Sequence, residues 1–80
     1  MKLKPVSTEK AVKMIDSENT LVFETERNAR KENIKKEIEG LFEIKVAGIR
    51  TSMRKNKKFA FVKLDKKNLA VDLATRLGMI

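Results

Sequence analysis

Two alternating runs joined by a compact turn constrain this chain most. Glu43 to Met53 and Lys57 to Leu64 each read as a strand, with Lys55 and Asn56 as a compact turn between them. So short a link joins strands only antiparallel. In the second run Ala60, Val62 and Leu64 alternate against Phe59, Phe61 and Lys63. In the first, Ala47, Ile49, Thr51 and Met53 alternate against Val46, Gly48, Arg50, Ser52 and Arg54. Successive side chains of a strand point to opposite faces, so each run offers one side to a core and keeps the other for something else.

The remaining segments supply that core. Ser7-Thr8-Glu9-Lys10 reads as a helix start with Ser7 as cap, although Lys10 stands where a capping box wants an acid. Ala11, Met14 and Ile15 share one face of this short helix, which ends by Asp16 or Ser17. Thr20 to Glu26 is rich in β-branched and aromatic residues and reads as a strand, with Leu21, Phe23 and Thr25 on one face. A helix follows from about Lys31 to Leu41, its apolar stripe being Ile34, Ile38, Leu41 and Phe42. Arg30 is a weak cap for it, and Asn28 is the alternative. Asp65 is placed to cap a last helix from about Lys66 to Leu77, with Leu69, Ala70, Leu73, Ala74 and Leu77 inward. Gly78 suits its C-cap, and Met79-Ile80 can fold back on the core.

The element order is short helix, strand, helix, strand, strand, helix. A strand–helix–strand unit favours parallel strands, and the hairpin then returns a strand antiparallel. The expected fold is α+β: a split β-α-β with a three-stranded, mainly antiparallel sheet. The two longer helices pack on one face, and a short N-terminal helix is added. Eighty residues bury roughly 63% of the extended surface, enough for one domain spanning residues 1–80 and too little for a deep substrate cleft.

Charge then says what the uncovered face meets. The chain carries 19 basic and 11 acidic side chains, a net +8. The imbalance is local: residues 1–40 hold 9 basic and 8 acidic groups, residues 41–80 hold 10 and 3. Between Arg50 and Lys67 eight cations face Asp65 alone. Like charges this dense repel, and a polyanion that shed its counterions on binding would offset the cost. With no Cys and no His, disulfides, zinc fingers and imidazole catalysis are excluded, and no metal or cofactor is expected. No apolar run approaches the roughly 20 residues of a membrane span. Met1 to Val6 lacks a signal segment. The expectation is a soluble cytoplasmic protein without membrane insertion, monomeric when isolated.

The uncovered face would carry Val22, Arg50, Phe59, Phe61 and Lys63. Rings between cations suit base stacking with phosphate neutralisation. The same rings would equally suit packing beneath the N-terminal helix, and both readings stand at this point. Lys57 to Leu64 is similar to the third-strand pattern of RNA recognition motif domains. It departs at Lys58, where that pattern has Gly, and at Leu64, where it has an aromatic.

A broader resemblance runs from Pro5 to Ile80. Pro5 to Lys10 looks like an N-terminal proline and Ser-Glu-Lys segment, with Thr8 inserted. Asn19 to Arg27 resembles a first strand whose apolar triplet leads into a Glu-Arg pair. Ala29 to Phe42 resembles a helix ending in Leu-Phe, with Arg30 and Asn33 replacing the usual Thr and Asp. Val46 to Thr51, the lysine-rich Lys57 to Leu64, and Ala74 with the closing Leu77-Gly78-Met79-Ile80 follow in order. By these residues the chain is identified as resembling the ribosomal protein L-twenty-three family of the large subunit, as a short archaeal-type member. The resemblance implies a structural constituent that binds the third domain of large-subunit rRNA near the peptide exit. It implies an L-twenty-nine family protein as neighbour, and a docking surface for the signal recognition particle or other exit-site factors. Ser7, Glu9 and Lys13 are the docking candidates, because Glu9 matches the family's chaperone-contacting segment. The loop that reaches into the tunnel in bacterial members is only about Arg54 to Lys57 here, so that reach should be absent.

Arginine bridges two phosphate oxygens while lysine acts as an adaptable point charge. The main rRNA contact is therefore assigned to Arg50, Arg54, Lys55, Asn56, Lys57, Lys58 and Lys63, with Phe61 as the stacking ring. Asn56 is equally a plain turn residue. Arg27, Arg30 and Lys31 form a second patch at a helix entrance, where free N–H groups favour phosphate. Lys2, Lys4, Lys10 and Lys13 are a third group. An enzyme is not expected: Arg27-Asn28-Ala29-Arg30 lacks the glycines of a phosphate-cradling loop. The alternatives are a small non-ribosomal RNA-binding module and a protein-interaction module.

Overall fold

The alternation read from the sequence becomes a sheet with one dry face. The computed structural model describes residues 3–78. Expectations for Lys2 and for Met79-Ile80 lie outside the described residues. The elements are β1 (Lys4–Pro5), α1 (Glu9–Glu18), β2 (Thr20–Thr25), α2 (Lys31–Phe42), β3 (Val46–Arg54), β4 (Lys57–Leu64) and α3 (Ala70–Arg76). The strand order is β1-β2-β4-β3, and every pairing is antiparallel. β2 and β3 therefore run parallel with β4 inserted between them, which is the split arrangement expected.

The sheet has four strands rather than three. Lys4 pairs with Glu24 and Pro5 with Phe23 on the outer edge of β2. The Val6 N–H then donates to the Val22 carbonyl at 3.0 Å. A two-residue strand leaves no period-two pattern in a sequence. Its stability comes from the β2 edge it covers.

One face of the sheet presents Leu21, Phe23, Ala60, Val62 and Leu64, all at most 2% exposed. Ile34 and Ile38 of α2 and Ala70, Leu73 and Ala74 of α3 pack on it as one cluster. Both longer helices thus lie on the same face. α1 behaves differently: Ile15 joins that cluster, while Ala11 and Met14 pack on Val22 on the opposite face. The helix straddles the edge of β2, and this is why β2 is buried on both sides.

Several local expectations are corrected. Thr8, not Ser7, caps α1, its hydroxyl accepting the Ala11 N–H at 3.3 Å. α1 continues to Glu18 and closes on Asn19 in the left-handed region. β3 begins at Val46, because Glu43 ends α2 with a left-handed C-cap. A bulge between Val46 and Gly48 shifts the register. Val46 is consequently the buried partner of Leu64, and Ala47 is exposed. Neither Arg30 nor Asn28 caps α2 through its side chain. Leu41, placed by helical spacing in the stripe, is 61% exposed.

α3 starts a turn later than Asp65 predicted. Asp65 closes a turn instead, accepting the Lys67 N–H on its carboxylate and the Asn68 N–H on its carbonyl. The start of α3 is held from afar, by Asn19.

Candidate nucleic-acid interface

The face opposite α2 and α3 follows from register. Arg50 pairs with Phe61, Ser52 with Phe59, Arg54 with Lys57 and Gly48 with Lys63 across β3 and β4. Directly paired residues share a face, so these eight side-chain positions form one surface. On its other side β4 pairs Phe61 with Val22 and Phe59 with Glu24, and Glu24 pairs with Lys4. From residue 44 to residue 64 the chain has seven cations and no carboxylate. Arg50, Arg54, Lys57 and Lys63 are all exposed on this face.

The turn joining the two strands adds its own charge. Lys55 and Asn56 both have positive φ, 49° and 65°, the requirement of a type I′ hairpin turn. Lys55 is thus held out at the tip of the hairpin, beyond Arg54 and Lys57, and Asn56 performs the turn role. The link is two residues long.

Phe59 and Phe61 combine both behaviours allowed by the sequence. They pack against the cluster of Ala11, Met14 and Val22, yet each remains only partly buried. The Arg50 guanidinium carbon lies 5.5 Å from the centroid of the Phe61 ring, within cation–π range. That contact pre-orients a planar cation beside an accessible ring.

The remaining candidates divide. Lys58 is on the helix-bearing face, and its Nζ donates to the Ala29 carbonyl. The loop carrying Arg27, Arg30 and Lys31 is thereby tied to the start of β4. These exposed cations stand at the same end of the sheet as the hairpin turn, since Thr25 pairs with Lys58. Lys10 and Arg54 line opposite sides of a cleft over Phe59 and Phe61. Glu9 and Lys13 are exposed on the first turns of α1, and Ser7 is exposed just ahead of its cap. Glu9 and Lys13 form an ion pair at 3.7 Å, which at that exposure adds little stability.

Val22 stands on this surface as its alternation in the sequence predicts, whereas sequence reasoning left Ser52 and Met14 out of it. The alternation with Arg50 and Arg54 carried the signal for Ser52. Nothing local places α1 over the far face, so Met14 was not readable. No helix among the described residues is long and apolar enough to cross a membrane.

A family model described as "Ribosomal protein L23" matches residues 1–76. The large ribosomal subunit protein uL23 of Thermoplasma acidophilum is 43% identical over 77 residues, covering 96% of this chain and 92% of that protein.

Proposed function

The chain belongs to the ribosomal protein L23 family, and from that membership we propose which of its surfaces meets RNA. It is an archaeal-type structural constituent of the large ribosomal subunit, it binds the subunit's rRNA near the exit tunnel, and it is not an enzyme. The contact is the β3–β4 face: Arg50, Arg54, Lys57 and Lys63 hold phosphates, with Lys55 and Asn56 at the tip and Phe61 against a base or sugar. One observation carries this reading: seven cations without a carboxylate from residue 44 to residue 64, four of them on a single sheet face. Counterion release from that many phosphate contacts supplies affinity without reading sequence. Arg27, Arg30 and Lys31 extend the contact around the hairpin end, and Lys4 and Lys10 continue it toward α1.

The outer side of α1, with Ser7, Glu9 and Lys13, is proposed as the docking surface for the signal recognition particle or other exit-site factors. An L-twenty-nine family protein is proposed as the neighbour. Exposure of those α1 side chains and family membership support both. A two-residue hairpin turn gives no arm to enter the tunnel. The chain is read as one domain acting in cytoplasmic ribosomes.

The absence of cysteine makes a direct test simple. Gly48 lies on the proposed face with open space where a Cβ would stand, and Thr75 is exposed on α3. Photocrosslinkers attached at Gly48→Cys should capture large-subunit rRNA, and those at Thr75→Cys should not. Capture from Thr75 with silence at Gly48 would overturn the assignment.

A further inference from the structure

Phe61 divides the basic face into two unlike hollows. One, lined by Arg50, Lys63 and Glu18, is mainly polar. The other is a slot of about 250 Å³ between α1 and β3. Its floor is Val22, Phe59 and Phe61, and its wall on one side is Ala11 and Met14. Lys10 stands on the helix side and Arg54 on the strand side. Ser52 and Thr8 contribute hydroxyls to the lining, and no carboxylate lines it.

The occupant must suit both halves of this description. An apolar interior floored by two rings wants a flat, polarisable body. Two cations in a lining that holds no acid want negative charge carried at the edge of that body. An aliphatic or aromatic side chain of a partner protein meets the first demand and leaves Lys10 and Arg54 without a counter-charge. A nucleotide meets both, since its base is planar and its phosphates lie at one end. An unstacked base in a single-stranded loop or bulge is also the part of a folded RNA that aromatic side chains can take up.

The geometry points to the slot between α1 and β3 as the receptor for a single extruded nucleobase of the bound RNA, its flanking phosphates on Lys10 and Arg54. This rests on the reading of the β3–β4 face as the rRNA contact. It adds that one nucleotide leaves the RNA stack and lies over Phe59 and Phe61, beneath Met14. α1 then serves as one jaw of a clamp as well as a lid on β2.

The test uses the full chain and the RNA fragment it protects from nuclease within large-subunit rRNA. In the wild-type complex, nuclear Overhauser contacts should join base protons to the Met14 methyl group and the Phe59 ring. Ser52→Trp fills the slot from β3 without removing a cation. It should weaken binding about tenfold and keep most of the dependence of affinity on salt, which Arg50, Lys57 and Lys63 still carry. Its unfolding midpoint shows whether the variant is folded, and the wild-type contacts decide the matter if it is not. A fragment bound with ordinary salt dependence while Met14 stays silent would overturn the slot, leaving the phosphate-binding face intact and the slot to a protein side chain. Binding without salt dependence would overturn that face and the slot together.

Discussion

The side-chain oxygen of Asn19 accepts the Ala70 N–H at 2.6 Å across 51 residues of sequence. The amide nitrogen of the same side chain donates to the Asn68 carbonyl at 2.9 Å and reaches the Leu64 and Asp65 carbonyls at 3.3 and 3.4 Å. Its backbone carbonyl accepts the Leu64 N–H at 3.1 Å. One residue therefore ends α1, secures the end of β4 and starts α3. Asn19 also has φ 51°, a conformation asparagine tolerates better than most residues.

Asn19→Gly keeps the backbone conformation and removes the side chain. Loss of the cap and of the carbonyl contacts should lower stability by about 2 kcal/mol. Urea unfolding measures it, and a change within a few tenths would show that water replaces the amide.

Lys58 separates from its basic neighbours by direction. Its ammonium donates to the Ala29 carbonyl on the helix side of the sheet. Lys58→Met should cost about 1 kcal/mol of stability and leave the salt dependence of rRNA binding as it was. A reduced slope at unchanged stability would put Lys58 on RNA instead.

Arg50, Arg54 and Lys57 stand together on the opposite face. Reversing all three to Glu should lower the slope of log affinity against log salt by roughly 2 units or more, at about 0.7–0.9 per phosphate contact. Filter binding across a salt series reads this directly. An unaltered slope would remove these residues from the contact.

Lys55 is an L-residue held at φ 49° in the hairpin turn. Relief of that conformation is worth about 1–2 kcal/mol, and the added freedom of glycine in the unfolded chain takes back about 0.4–1. Lys55→Gly should therefore stabilise the protein by about 0.5 kcal/mol while weakening rRNA binding. A variant that is more stable and binds equally well would make Lys55 a turn residue without an RNA role.

What could be read ahead of the structure was whatever repeats locally. The alternation in Lys57–Leu64 named Ala60, Val62 and Leu64 as inward, and they are buried. By the same rule Lys58 belongs with Ala60, which is the face it occupies. Grouping it with Lys57 and Lys63 followed charge and set aside parity. The bulge beside Ala47 escaped because a single extra residue reverses parity without altering composition. The early start assigned to α3 failed because Asp65 has cap chemistry but caps a turn.

Sequence alone determined the hairpin, its antiparallel sense, the inward Ile34 and Ile38 of α2 and Ala70, Leu73 and Ala74 of α3, and the crowding of cations after residue 43, because each depends on spacing between near neighbours; Leu41 and Leu69, assigned inward by the same spacing, are exposed. Tertiary structure alone decided that Lys4–Pro5 joins the sheet, that α1 crosses to the far face, and that Asn19 starts a helix 51 residues away. Those contacts exist only once distant segments meet, and their free energy comes from edges and carbonyls that no local pattern records.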